Sequence, residues 1–270
     1  MLKRILFYVA LALLMAAVLF PLYWVVVTSF KTNRDAFAIP PVWFFEPTMD
    51  NYRKILANRG FLTAFANSFV VSIVSSAIAV AIGAVAAYGL ASQDAPYRRS
   101  QEKFILTLRI APALLFVIPV YFLATRIGAL NTHWLLIAVY AFINVPFAIS
   151  LLLTFFADVP KELRDAARVD GAREFTVFAR VFLPAAKGGI VATMILCVLF
   201  TWNEFFIALV LSGRSTQTLP VSITSFLTFQ GIQWGALTAA GSLIMLPMIV
   251  LGLLVQGQIV RGLTLGSVKG

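Results

Sequence analysis

The chain has 270 residues, 61% of them hydrophobic and 12% charged, where a soluble domain carries about 45–50% apolar and roughly 25% charged residues. Such a surplus cannot all be hidden in one aqueous fold, which excludes a soluble globular protein and leaves an integral membrane protein. The net charge of +10 does not signal nucleic acid, because the basic residues flank apolar runs and gather on no polar module.

A hydrocarbon core about 30 Å thick needs about 20 apolar helical residues. Six segments meet that requirement: roughly 5–28, 62–91, 104–126, 134–157, 188–211 and 236–260. The first follows Lys3 and Arg4 and stays apolar to about Phe30. It outruns a signal core of about 7–15 residues, and the triplet Ala36-Phe-Ala38 lies beyond Lys31, Arg34 and Asp35, so it reads as a retained span. Span two carries Ser68, Ser72, Ser75 and Ser76 on one helical face, then Gly83 and Ala87. Small residues at this spacing let helices approach closely, and serines can bond across the contact. Pro119, Pro146 and Pro247 fall inside spans three, four and six, where proline kinks a helix and frees a carbonyl. No run sustains period-2 alternation, so a membrane β-barrel is not expected. The predicted fold class is all-α: residues 1–270 form a single polytopic membrane domain of six transmembrane helices.

Orientation follows from Lys and Arg. With the amino terminus inside, thirteen fall on cytoplasmic pieces: Lys3, Arg4, Arg98, Arg99, Lys103, Lys161, Arg164, Arg168, Arg173, Arg180, Lys187, Arg261 and Lys269. Six fall outside, namely Lys31, Arg34, Arg53, Lys54, Arg59 and Arg214. Both termini are therefore expected in the cytoplasm. The lone Cys197 excludes an intrachain disulfide and any Cys-x-x-Cys site. The lone His133 reads as an interfacial residue beside Trp134.

Residues 158–187 then form a cytoplasmic loop, and it does not look disordered. Leu163, Ala166 and Ala167 are expected on one helical face, with Lys161, Glu162, Arg164, Asp165 and Arg168 around it. Pro160 suits a first turn and Gly171 a stop. Phe175, Phe178 and Phe182 offer an apolar stripe on a second short helix, ending at Leu183-Pro184. Two readings fit: an amphipathic hairpin on lipid headgroups, or a docking knob with small residues for close approach and charges for register.

The segment DAARVDGAREFTVFARVFLP, residues 165–184, resembles the EAA loop of ABC importer permeases: Glu-Ala-Ala, three residues, Gly, nine residues, Ile, one residue, Leu-Pro. Here Asp165-Ala166-Ala167, Gly171, Val181 and Leu183-Pro184 hold that spacing, with Asp for Glu and Val for Ile. The stretches ELRDAARVDGA, TWNEFF (201–206), TLPVSI (218–223), RGLTLGSVKG (261–270), DNYRKIL (50–56) and ANSFVVS (66–72) resemble carbohydrate-uptake permeases of the maltose-transporter type. The resemblance implies a permease subunit for a sugar, oligosaccharide or polyol in a bacterial-type inner membrane. Residues 158–187 would be its coupling loop, with Leu163, Asp165, Ala166, Ala167, Asp170, Gly171, Ala172, Leu183 and Pro184 meeting a cytoplasmic ATPase. It also implies a second homologous permease subunit, as a heterodimer, and an extracytoplasmic sugar-binding protein. ATP and Mg would sit on the ATPase. The chain itself has no GxxxxGK[ST] phosphate loop, catalytic set or metal cluster, so no cofactor is expected in it and it is expected not to be an enzyme.

In span five, Trp202, Asn203 and Glu204 are candidates for a substrate pathway or gate, because an intramembrane carboxylate needs a reason. Helical spacing puts Thr193, Cys197 and Glu204 on one face. Sugar contact, structural hydrogen bonding or gating, and proton coupling all remain open for Glu204. The rival functions are a proton- or sodium-coupled secondary carrier, which calls for more buried ionisable residues and internal repeats, and an ABC permease for a non-sugar solute.

Overall fold

The computed structural model describes residues 2–93, 95–110, 113–228 and 231–267, from 257 onward by their backbone alone. The helices are α1 (Leu2–Ser29), α2 (Asn33–Phe37), α3 (Asp50–Ala57), α4 (Arg59–Ala91), α5 (Ala95–Ile110), α6 (Ala113–Arg126), α7 (His133–Ala157), α8 (Lys161–Val169) and α9 (Glu174–Val177). After a π-helical turn at Phe178–Phe182 come α10 (Leu183–Ala185), α11 (Lys187–Asn203), α12 (Phe206–Leu211) and α13 (Leu219–Ser222). A short 3-10 turn and a two-stranded hairpin, β1 (Leu227–Thr228) and β2 (Gly231–Ile232), lead into α14 (Trp234–Ser267).

The chain divides into two compact units. One takes the residues up to Leu62 with Ser222–Pro247, the other Thr63–Val221 with those from Met248 on. In the first unit, α1 is apolar all round and buries only Thr28 and Ser29, as a helix bathed in lipid can. Just past its end Lys31 is fully buried, its Nζ donating to the Val42 carbonyl at 2.7 Å and lying 4.3 Å from the Trp24 ring. Asn51 fixes the same corner by donating to the carbonyls of Ser29 and Lys31 at 2.9 and 2.8 Å.

The second unit is built on α4, α7 and α11. A Cβ placed on Gly83 of α4 would lie 2.7 Å from the Ala148 Cβ of α7, so this crossing exists only because the residue is glycine. Val80, Ala84, Ala87, Leu152, Phe156 and Cys197 close the core beside it. The four serines of α4 are all buried, but only Ser68 bonds across, accepting the Leu219 N–H at 2.7 Å. Ser72 and Ser75 bond back to carbonyls of their own helix.

Two predicted spans take a different form. The third, 104–126, is represented by α5 and α6, with residues 111 and 112 of the predicted span outside the described residues. Helix α5 starts upstream of 104 in a basic stretch, which an apolar-run criterion cannot see. The fifth, 188–211, breaks after Asn203, where Glu204 adopts φ −72°, ψ 125°. The Glu204 carboxylate accepts the N–H groups of Ile207 and Ala208, as a cap does, and so stops one helix and starts the next. Glu204 is therefore not on the helical face of Thr193 and Cys197. Among the described residues, four helices are long and apolar enough to cross a membrane alone. The pair Glu174–Ala185 and Lys187–Asn203, bent by 78°, makes a fifth candidate. Lys269, counted in the charge bias, and the last three residues of RGLTLGSVKG lie outside the described residues.

Candidate functional site

The segment 158–187 folds as a knob. Pro160 occupies the N-cap of α8 and Asp170 its C-cap, and Gly171 turns the chain at φ +79°, a conformation that L side chains rarely adopt. No residue of α8 is fully buried. Leu163, Asp165, Ala166, Asp170 and Gly171 face outward, with Val169 87% and Phe175 77% exposed. Ala167, Ala172 and Leu183 are half-buried and pack on the core of the second unit. Ala167 thus parts from Leu163 and Ala166, turning inward while they point out. The predicted phenylalanine stripe also splits, because the π turn changes the rotation per residue. Phe182 is buried, Phe178 half-buried and Phe175 exposed. Pro184, exposed, is the second residue of α10.

A carboxylate holds the knob together. Arg168 donates from Nε to Glu174 Oε1 at 2.8 Å and also from Nη2 to that oxygen, while Arg164 Nη2 stands 3.5 Å from Oε2. The Tyr88 hydroxyl, on α4, donates to Oε2 at 2.6 Å. That phenol bond and then the Arg168 guanidinium hold the Glu174 carboxyl below the usual carboxylate range, and the same contact raises Arg168. The Tyr88 ring sits 5.2 Å from Phe178 and 4.9 Å from Phe182. Sequence reasoning missed this cluster. Arg164 and Arg168, one turn apart, were its local signal. Tyr88, 86 residues from Glu174 along the chain, gave none.

The second region surrounds the break in span five. Glu204 Oε2 accepts the Tyr140 hydroxyl at 2.7 Å, and its two oxygens accept Ile207 N–H at 3.0 and 3.1 Å. One turn further along α7, Asn144 donates to Thr201 Oγ1 at 2.8 Å. Glu204 and Asn144 line a cavity of about 1030 Å³ whose other lining side chains are apolar or aromatic, with Phe116, Trp134, Phe142, Phe147 and Phe200 among its rings. Trp202 does not line it: the indole is buried against Phe65, ring centroids 5.7 Å apart. Asn203 is exposed and donates to the Leu199 carbonyl of its own helix. The three neighbouring candidates thus face three different environments. Intramembrane Tyr140 and Asn144, spaced i and i+4, were the sequence signal for the partners of Glu204 and Thr201 respectively.

His133 is exposed, with its Nε2 2.8 Å from Oδ1 of the buried Asn67. Since the Asn67 amide donates to the carbonyls of Ser215 and Gln217, His133 must donate here. Among the described residues no group of His, Cys, Asp and Glu could hold a metal ion.

The family model described as "Binding-protein-dependent transport system inner membrane component" matches residues 79–265. The chain is 39% identical over 253 residues to a probable ABC transporter permease protein of Sinorhizobium fredii, covering 93% of this chain and 90% of that one. It is 33% identical to the diacetylchitobiose uptake system permease protein of Streptomyces coelicolor, covering 97% and 96%. Among solved structures, a chain of a bacterial ABC transporter involved in the import of the acidic polysaccharide alginate superposes with a TM-score of 0.80. It does so at 20% identity, covering 95% of this chain and 96% of that one, a likeness of fold.

Proposed function

We propose a mode of action for this chain, which belongs to the binding-protein-dependent transport system inner membrane components and is a multi-pass permease of an ABC importer, without an ATPase site of its own. In our reading the solute is a sugar, oligosaccharide or polyol. The motif resemblance and the diacetylchitobiose relative support that class, as does a cavity rich in aromatic rings with two polar side chains in its lining. The chain is half of a pore completed by a second permease subunit. It takes solute from an extracytoplasmic binding protein and draws its energy from cytoplasmic ATPase subunits that hold ATP and Mg. The arrangement is six spans with both termini inside, α5 with α6 serving as the third and α11 with α12 as the fifth. Glu204 is the structural fastening of that fifth span, since its oxygens are engaged by backbone and tyrosine donors.

The observation that carries the coupling assignment is the knob. A loop that lay on its own bundle would bury its apolar side chains, whereas α8 turns Leu163, Ala166 and Val169 outward beside Asp165 and Asp170. Gly171 sets its angle. Gly171→Val forces a β-branched residue toward positive φ at a cost of about 1–3 kcal/mol. The ATPase retained on co-purification should then fall about tenfold, with membrane insertion intact; normal retention sinks the assignment. Topology has its own test in a Cys197→Ser background. Cysteines placed at Arg53 or Arg214 should react with an impermeant maleimide from outside, and those at Ser100 or Glu162 only after permeabilisation. The reverse pattern would take the knob out of the ATPase's reach.

A further inference from the structure

The docking knob touches the bundle through apolar side chains, whose contacts have no fixed direction, and through a directional set of bonds. Arg164 and Arg168 grip Glu174 from α8, and Tyr88 grips it from α4. Glu174 thus spends one oxygen on the knob's own helix and shares the other between that helix and the transmembrane rod. Tyr88 is buried, its ring wedged between Phe178 and Phe182, so its hydroxyl has little freedom to seek another acceptor. Helix α4 carries the connection outward. About 32 Å further along it, at a rise of about 1.5 Å per residue, Asn67 and Ser68 hold the outer segment 215–219 by its backbone.

We propose that Glu174 and Tyr88 are positioning residues for coupling: they make α8 and the cytoplasmic end of α4 move as one body when the ATPase displaces the knob. The proposal rests on the docking reading given above. Without the Tyr88–Glu174 bond, α8 would still dock, but it would slide over the apolar surface and leave α4 behind. Charge-assisted bonds suit this place because they are directional and hold one geometry, whereas the aromatic contacts tolerate displacement.

Paired spin labels on Glu162→Cys in α8 and Val85→Cys in α4, both exposed, test it in a Cys197→Ser background. The transporter is assembled with its ATPase and measured nucleotide-free and trapped with ATP and vanadate. The otherwise unaltered chain should give one narrow distance distribution, the same in both states. Tyr88→Phe, which removes only the hydroxyl, and Glu174→Gln, which removes the charge, should each widen it about twofold. In both variants the mean distance should change on trapping. A merely structural role would lower the yield of folded protein without making the distance depend on nucleotide. Variants that retain the ATPase and keep the narrow, nucleotide-independent distribution overturn the proposal. If the unaltered chain retains no ATPase, the docking reading fails and this one with it.

Discussion

Two glutamates in this protein receive a tyrosine hydroxyl at nearly the same distance, Glu174 from Tyr88 at 2.6 Å and Glu204 from Tyr140 at 2.7 Å. Their other partners set them apart. Glu174, at the membrane face, is half-exposed and bonded to two arginines. Glu204 has no cation in its hydrogen-bond set; backbone N–H groups at the start of α12 complete it. Where water is near, a carboxylate can be held by mobile charges and its loss is cushioned by solvent. Within the membrane it must be matched by donors that have nowhere else to turn. The first arrangement suits a joint that moves, the second a break that must stay where it is.

The largest expected effect separates them most sharply. Glu204→Ala leaves the N–H groups of Ile207 and Ala208 and the Tyr140 hydroxyl without their acceptor, and should lower stability by about 3 kcal/mol, measured as thermal unfolding in detergent. Tyr140→Phe, which removes one donor and leaves the cap, should cost about 1 kcal/mol in the same assay. Tyr88→Phe should cost less than about 1 kcal/mol, because its acceptor is exposed to water and keeps its arginines. If Tyr88→Phe proves the more destabilising of the two, the comparison is wrong. Smallest of all is the effect of pH. The Glu174 carboxyl is held below its ordinary value of about 4.3. Its contribution is therefore complete above that value and fades as pH falls through the lowered folded-state value. The label pair on α8 and α4 should give the same distribution at pH 8 and pH 6, and a wider one only below the ordinary carboxylate range. A change between pH 8 and 6 would assign the joint to some other group.

Long apolar runs made the membrane class, α1, α4, α7 and α14 legible, because each carries its own evidence in hydropathy. The two short helices around a glycine turn were legible too, through Pro160, Gly171 and Leu183-Pro184, and the glycine has the positive φ such a turn favours. What escaped were features that depend on residues far apart or on side chains competing with the backbone. The break at Glu204 is invisible to an apolar-run count, since Phe205 and Phe206 continue the hydrophobic pattern across it. Only the carboxylate's capture of two amides ends the helix. Likewise the inward turn of Ala167 and the burial of Trp202 are decided by what packs on them, Phe65 in the latter case.

The self-bonded serines of α4 have a mechanical consequence. Ser72 and Ser75 spend their hydroxyls on carbonyls of Phe69 and Ser72 in the same helix, so the middle of the rod presents neighbours with a surface free of their directional bonds. What seats this stretch on its neighbour is shape instead: a glide of one residue's rise, about 1.5 Å, would move Gly83 off Ala148, where no side chain larger than hydrogen fits. Bonds with a direction lie where Asn67 and Ser68 hold one end and Tyr88 the other, which makes α4 a rod pinned at two heads and keyed by shape between them.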